Sequence, residues 1–208
     1  MKRTSSKSSR RACAVEAMGS AADCIGPITH GMSLFAITRG QFSMIDAVQH
    51  ALSQLGRASI SIWTWAIADY EVEVFTALML DNRIDGADLI VDQSAERRNG
   101  ALIDQWRATF GLQSVRVCKN HAKIARVYND DFRVLLRGSM NLNFNPRFEQ
   151  LDVTEGGPDF DLVAEIEKEM PIIAPHASNA DADYATGLSS VFTPDVLDLF
   201  PAAKVWAK

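Results

Sequence analysis

The chain has 208 residues, of which 47% are hydrophobic, and its formal net charge is −5. This length and hydrophobic content suffice for one well-buried domain, with residues left over for tails. No apolar run approaches the roughly 20 residues needed to cross a bilayer, which excludes a membrane-spanning helix. The composition therefore predicts a soluble protein without a membrane partner.

The cysteines and the first residues bear on where the protein works. Cys13, Cys24 and Cys118 are odd in number and form no C-x-x-C pair, which argues against a disulfide scaffold and a zinc cluster. A reducing compartment is the simpler interpretation, so we expect a cytoplasmic protein. The basic, serine-rich opening MKRTSSKSSRR and the small residues after it predict a partly disordered tail over residues 1–40 rather than a targeting signal.

Charge is distributed unevenly along the chain. Residues 97–147 hold ten Lys or Arg and three acids, whereas residues 148–208 hold three Lys or Arg and twelve acids. Ordinary solvated charges would explain such a segment if it carried no motif. Because the basic segment also contains the candidate site described below, it indicates an anionic substrate.

The first two thirds of the chain alternate between helical and extended patterns. The predicted elements, in order, are a helix over about 43–55, a strand over 59–65, a helix over 70–80, a strand over 87–92, a helix over 99–110 and a strand over 114–118. The segment 70–80 fits either a strand or a helix; its length favours a crossover helix. This alternation predicts an α/β fold with a mixed, mostly parallel sheet covered by helices on both faces.

A hairpin is predicted next, because the extended patterns of residues 123–128 and 132–137 flank Asn129-Asp130-Asp131, which is typical turn chemistry. An amphipathic helix over 160–170 then completes a domain that we place at residues 41–172. Residues 173–208 are predicted to be a linker, rich in Ala, Asp and Ser over 174–187, and a short helix that begins at Thr193.

The hairpin carries the residues most suited to chemistry. His121 and Lys123 are two apart, so in a strand both side chains leave the same face. Gly138-Ser139-Met140-Asn141 follows the second hairpin strand and offers a hydroxyl, an amide and backbone N–H groups, which suit a phosphate. Taken singly, His121 and Lys123 could be surface residues, and Ser139 and Asn141 turn formers. Their order and spacing within one segment favour a site.

This segment resembles the signature of the phospholipase D superfamily, which is H-x-K, an Asp, G-S-x-N and a later Glu. The corresponding residues are His121 and Lys123, then Asp131, then Gly138, Ser139 and Asn141, and finally Glu149. The family usually places its Asp at the position where Tyr128 stands, so Asp131 implies a longer hairpin, and Asp130 could serve as well. The resemblance covers residues 58–155.

The resemblance implies a phospholipase D-like αβα sandwich and a two-step displacement at phosphorus. One histidine attacks phosphorus while a second protonates the leaving oxygen. Because the chain has one motif, the second histidine must come from another copy, which implies a homodimer. The implied roles are catalytic for His121, Lys123, Asn141 and Glu149, substrate-binding for Gly138, Ser139, Arg126 and Arg137, and structural for Asp131. No cofactor and no metal are implied.

Nucleic acid is the substrate that the resemblance and the charge together favour. Single-motif dimers of the superfamily are often nucleases, and the basic segment suits a phosphate backbone. Trp63, Trp65 or Phe144 could stack on bases, although core packing is the commoner role for such residues. We therefore predict a metal-independent nuclease acting on DNA or RNA. The alternatives are a catalytically inactive nucleic-acid-binding or assembly protein of the same fold and, third, a phospholipid or other small phosphodiester hydrolase.

Overall fold

The computed structural model describes residues 10–14, 19–143, 146–172 and Thr186. The elements within these ranges are β1 (Arg11–Ala14), α1 (Ala21–Ile25), β2 (Ser33–Thr38), α2 (Met44–Leu55), β3 (Ala58–Thr64), α3 (Asp69–Leu80), β4 (Ile84–Asp92), α4 (Gln93–Arg98), α5 (Gly100–Phe110), a 3-10 helix (Leu112–Ser114), β5 (Val115–Cys118), β6 (Ile124–Tyr128), β7 (Arg133–Gly138), β8 (Glu149–Glu155) and α6 (Pro158–Glu169). The predicted 174–187 linker, apart from Thr186, and the predicted helix at Thr193 lie outside the described residues.

The strands form one mixed sheet in the order β1-β2-β8-β7-β6-β3-β4-β5. The pairs β1–β2, β3–β4 and β4–β5 are parallel, whereas β2–β8, β8–β7, β7–β6 and β6–β3 are antiparallel. The α/β class and the 123–137 hairpin are confirmed, but the prediction of a mostly parallel sheet is wrong. The physical reason is β8, which the sequence analysis did not predict and which runs antiparallel to both of its neighbours.

Helices cover both faces of the sheet, as the alternation along β7 illustrates. Val134 and Leu136 point into the main core, which also takes in the apolar faces of α1, α2, α3 and α5. Leu135 points to the opposite face, where it packs with Phe160 and Val163 of α6. This period-2 separation is what a strand between two layers of helix requires.

The sheet also takes in part of the segment that the sequence analysis assigned to an N-terminal tail. β1, α1 and β2 all precede residue 40. Leu34 and Ala36 of β2 are fully buried, and Thr38 pairs with Glu149 at the start of β8. β2 therefore helps to hold the first residue of β8 in place. None of the helices in the described ranges is long and apolar enough to cross a membrane.

Candidate active site

An open cleft of about 390 Å³ lies at the ends of four neighbouring strands in the middle of the sheet, where β3 and β7 end and β6 and β8 begin. Because β3 and β7 run antiparallel to β6 and β8, these four termini lie side by side at the same end of the strands. The cleft is lined by Trp65, His121, Lys123, Gly138, Ser139, Asn141, Arg147 and Glu149. The structure therefore brings together six of the predicted site residues: His121, Lys123, Gly138, Ser139, Asn141 and Glu149.

His121 and Lys123 are in direct contact. The ammonium nitrogen Nζ of Lys123 lies 3.0 Å from Nδ1 of His121 and donates to the His121 carbonyl oxygen at 2.6 Å. Burial lowers the pKa of Lys123 from its ordinary value, and the negative charge of Glu149 partly opposes that shift. An ammonium can only donate, so a charged Lys123 holds Nδ1 unprotonated and leaves the ring proton on Nε2.

The loop that carries His121 is anchored by a residue that the sequence analysis missed, the buried Asn120. Its Nδ2 donates to the carbonyl oxygens of Thr64 and Ile90, both at 3.2 Å. Its Oδ1 accepts from the N–H of Ala122 at 2.8 Å. The asparagine thus ties the His121 loop to the ends of β3 and β4. The signal in the sequence was an asparagine just after a strand, where its side chain often bonds the backbone two residues on.

Gly138 and Ser139, at the end of β7, lie beside the start of β8 and are linked to it by strand pairing and hydrogen bonds. The hydroxyl of Ser139 donates to a carboxylate oxygen of Glu149 and accepts from the N–H of Gln150 at 3.0 Å. The hydroxyl proton is therefore engaged by Glu149. The resemblance implied a catalytic role for Glu149; in the structure its carboxylate accepts from the serine hydroxyl and lies close enough to influence Lys123.

Asn141 presents its amide to the cleft in a defined orientation. Its Oδ1 accepts from the backbone N–H of Trp65 at 3.3 Å. Because the amide oxygen faces the backbone, the NH₂ group is the end available to donate to an anionic oxygen. The next residue, Leu142, donates its N–H to the hydroxyl of Thr64 at 3.0 Å, so two consecutive residues are fastened to the end of β3.

Arg126 and Arg137, both predicted to bind substrate, are not brought to the cleft. Arg126 is buried on the α6 face of the sheet, where it pairs with Glu167 and its Nε donates to Ser61. Arg137 pairs with Asp159 at the start of α6. Both guanidinium groups fasten α6 to the sheet, and neither is among the residues that line the cleft.

Asp131 lies in the β6–β7 turn, at the end of the hairpin away from His121 and the cleft. It is exposed, and its backbone N–H donates to Oδ1 of Asn129 at 3.0 Å. The Asn129 side chain also donates to the Leu55 carbonyl at 3.1 Å, which ties the turn to α2. Asp130 is exposed beside it. Both candidate aspartates therefore lie outside the cleft, and so does Tyr128 at the same end of β6.

The described residues contain one histidine in the cleft. His30 is stacked on Phe132 near the hairpin turn, and Nε2 of His50 in α2 lies 2.8 Å from the Gly26 carbonyl oxygen. His176 lies outside the described residues. No group of three His, Cys, Asp or Glu side chains in the described ranges is placed to hold a metal ion.

The described residues define a mixed α/β domain with a polar cleft that gathers an imidazole, an ammonium, an amide and a serine-bound carboxylate. No family model and no curated protein matches the chain. Solved structures similar to it include a polyphosphate kinase from Porphyromonas gingivalis, with 14% identity, a TM-score of 0.45, and coverage of 65% of this chain and 25% of that one. Another is a phosphatidylserine synthase from Haemophilus influenzae Rd KW20, with 14% identity, a TM-score of 0.47, and coverage of 83% and 46%. The chain thus spans less than half the length of either.

Proposed function

We propose that the chain is a member of the phospholipase D superfamily and a metal-independent phosphodiesterase that cleaves DNA or RNA. The observation that carries this proposal is the convergence of His121, Lys123, Ser139, Asn141 and Glu149 on one cleft. Three stretches of the chain supply these groups: residues 121–123 before β6, residues 139–141 after β7, and Glu149 at the start of β8. An imidazole beside an ammonium and an amide donor is suited to attack on phosphorus with the non-bridging oxygens held.

In the proposed reaction Nε2 of His121 forms a bond to phosphorus as the bond to the leaving oxygen breaks. A second histidine donates the proton that the leaving oxygen needs. In the second step water gives a proton to that same histidine and attacks phosphorus, and the bond between phosphorus and Nε2 of His121 breaks. Nε2 can attack only when its own proton is absent. A substrate phosphate that draws the Lys123 ammonium away from Nδ1 allows that nitrogen to carry the ring proton instead, which frees Nε2.

The second histidine is proposed to be His121 of another copy of the chain. Within the described residues, His30 and His50 are both engaged elsewhere, and the cleft itself is open to one side. A two-fold axis beside the cleft would bring two His121 side chains to one phosphate. In this arrangement Lys123 and Asn141 of each subunit bind the non-bridging oxygens.

A nuclease assay in EDTA tests the proposal. Wild-type protein should cleave labelled single-stranded DNA or RNA, and His121→Ala should lower the rate by at least about a thousandfold, because the nucleophile is lost. The matched control is His30→Ala, which removes an exposed histidine at the opposite end of the strands and should leave the rate unchanged. Cleavage that is equal in wild type and His121→Ala would refute the assignment.

The second candidate is a nucleic-acid-binding or assembly protein of this fold that does not cleave. The observation that favours it is Tyr128, which stands where the superfamily has its aspartate and packs its ring against Phe160 of α6. In that case wild type and His121→Ala would both bind an oligonucleotide without cleaving it. Lys123→Ala, introduced into either protein, would weaken that binding.

A further inference from the structure

Two exposed aromatic side chains each have an arginine guanidinium over the ring: Trp65, which lines the cleft, and Phe148, which stands in the chain between the cleft residues Arg147 and Glu149. Trp65 lines the cleft and is 37% exposed, with the Arg98 guanidinium carbon 4.9 Å from its ring centroid. Phe148 is 71% exposed, with the Arg39 guanidinium carbon 5.3 Å from its ring centroid. Aromatic rings with an exposed face are surfaces on which bases can stack.

The two pairs stand on opposite sides of the His121–Lys123 centre. Trp65 directly follows β3, and its ring centroid is 5.8 Å from that of His121. Phe148 directly precedes β8, two strands further along the sheet than β6, which His121 precedes. Arg39 reaches Phe148 because β2 and β8 are paired at Thr38 and Glu149. The centre therefore lies between two aromatic platforms.

The spacing of the platforms suits a short piece of single strand. β3 and β8 are three places apart in the sheet, which at about 4.8 Å per strand is roughly 14 Å. That distance corresponds to about four stacked nucleotides at 3.4 Å each, and to fewer in an extended strand. A phosphate held by Lys123 would then have a base on each side within reach of a ring.

The chemistry of the pairs selects an unpaired strand. A base can stack on an aromatic ring only when its face is free, and in a duplex the faces are covered by neighbouring pairs. An arginine that stacks on a ring keeps its N–H groups at the guanidinium edge, where they can contact phosphate oxygens. Arg147, which lines the cleft, adds to the positive charge that attracts a polyanion.

We propose that Trp65 with Arg98 and Phe148 with Arg39 form two base-binding subsites, so that the cleft binds single-stranded nucleic acid in preference to duplex. This inference rests on the proposed function only in taking nucleic acid as the ligand of the cleft, and it requires no cleavage. Binding can therefore be measured in His121→Ala protein, in which the proposed nucleophile is absent.

The test is fluorescence anisotropy with a labelled twelve-nucleotide strand, the same strand made abasic, and its duplex, at one salt concentration. The intact strand should bind roughly fivefold or more tightly than the other two, as expected for stacking of one base or more. Added Trp65→Ala or Phe148→Ala should remove most of that difference. Trp65→Phe should retain most of it, because a ring remains, and circular dichroism verifies the fold of each variant.

Leu112→Ala serves as the control, because it removes an exposed apolar side chain outside the cleft. Equal affinity for intact and abasic strands, or for single strand and duplex, would overturn the inference. The two proposals fail separately. A protein that prefers the intact strand but never cleaves retains the subsites and loses the nuclease assignment. A protein that cleaves duplex and abasic strand at the same rate as the intact strand retains the nuclease assignment and loses the subsites.

Discussion

A Cβ atom placed on Gly138 would lie 2.1 Å from the carbonyl oxygen of Gln150, far inside the contact distance of the two atoms. The obstructing atom belongs to the backbone of β8 and cannot rotate away. Gly138→Ala must therefore push β7 and β8 apart and displace Ser139 and Glu149. We expect a loss of about 3 kcal/mol in the free energy of unfolding, measured with urea, together with loss of activity.

Gly86 provides the matched control for that substitution. It also lies in a strand, β4, but a Cβ atom there would meet nothing within 4 Å. Gly86→Ala should change the free energy of unfolding by less than about 1 kcal/mol, and in the stabilising direction, because alanine loses less backbone freedom on folding. Equal losses at the two glycines would show that close approach to Gln150 is not the cause.

We expect Lys123 to make oligonucleotide binding sensitive to alkaline pH. Burial lowers its pKa from the ordinary 10.5, so its ammonium form, which attracts phosphate, is lost at a lower pH than in a free lysine. A phosphodiester keeps its charge throughout this range. The affinity of His121→Ala protein for an oligonucleotide should therefore fall as the pH rises through the folded-state pKa of Lys123 and before 10.5.

A second substitution, Lys123→Arg, isolates the group responsible. The guanidinium stays charged to higher pH, so the alkaline decrease in affinity should disappear even if the overall affinity is lower. The measurement is anisotropy over a pH series in both proteins. If the decrease is unchanged in Lys123→Arg, another group titrates.

At the scale of elements, α6 is held to the sheet by a buried ion pair whose arginine, Arg126, was predicted from the sequence to bind substrate. Glu167 of α6 pairs with Arg126 of β6 and accepts hydrogen bonds from Ser61 at 2.5 Å and from the Trp63 indole N–H at 2.7 Å. Glu167→Ala leaves a buried guanidinium without its partner and should cost about 3 to 5 kcal/mol of stability by urea unfolding.

The exposed pair between Arg133 and Asp161 offers a control on the same helix. The two side chains are 49% and 57% exposed, so Asp161→Ala should cost less than about 1 kcal/mol. The double substitution Arg126→Met, Glu167→Leu should cost less than Glu167→Ala alone, since it leaves no unpaired charge. If the double variant is less stable than Glu167→Ala, an unpaired buried charge is not the main cost of losing Glu167.

Elements with local signals could be predicted from the sequence, and elements whose partners are distant could not. The β6–β7 hairpin is marked by a turn between two apolar runs, and α3 was correctly chosen as a helix. β2 and β8 each bury only a few apolar side chains, and they pair with each other across more than a hundred residues. Nothing near either strand in the sequence indicates that pairing, so the sheet was expected to be mostly parallel.

The same distinction applies to the site. His121, Lys123, Gly138, Ser139 and Asn141 lie within one segment, and their spacing identified them. The misassignment of Arg126 has a structural reason: its side chain emerges on the α6 face, opposite the core-facing Ala125 and Val127. Asn120 and Arg147 escaped notice because their roles depend on strand ends that meet only in the folded sheet.

At the scale of the whole molecule, the proposed shared site makes activity depend on pairs of subunits. If each site needs His121 from both copies, mixed dimers of wild type and His121→Ala are inactive. In an equimolar mixture after subunit exchange, only about one quarter of the dimers are wild type in both subunits. We therefore expect about half of the activity that the same amount of wild type shows alone.

The comparison is between the mixture and an equal amount of wild-type protein with His30→Ala added instead, which should leave wild-type activity undiminished. Mass in solution, measured by light scattering at the assay concentration, must show a dimer. A monomer that retains full activity, or a mixture that loses nothing after exchange, would contradict the shared site.

β8 also determines the order in which the chain can assemble during synthesis. It is made after β2, β6 and β7, yet it occupies the place between β2 and β7 in the finished sheet. Until residue 155 has left the ribosome, two strands present unpaired backbone edges, and β1 and β2 have no sheet to join. Such distant pairing slows folding and exposes edges that favour association between unfinished chains. Glu149, which completes the cleft, is therefore among the last residues of the sheet to be made. A nascent chain cannot form the site before β8 has paired with β2 and β7.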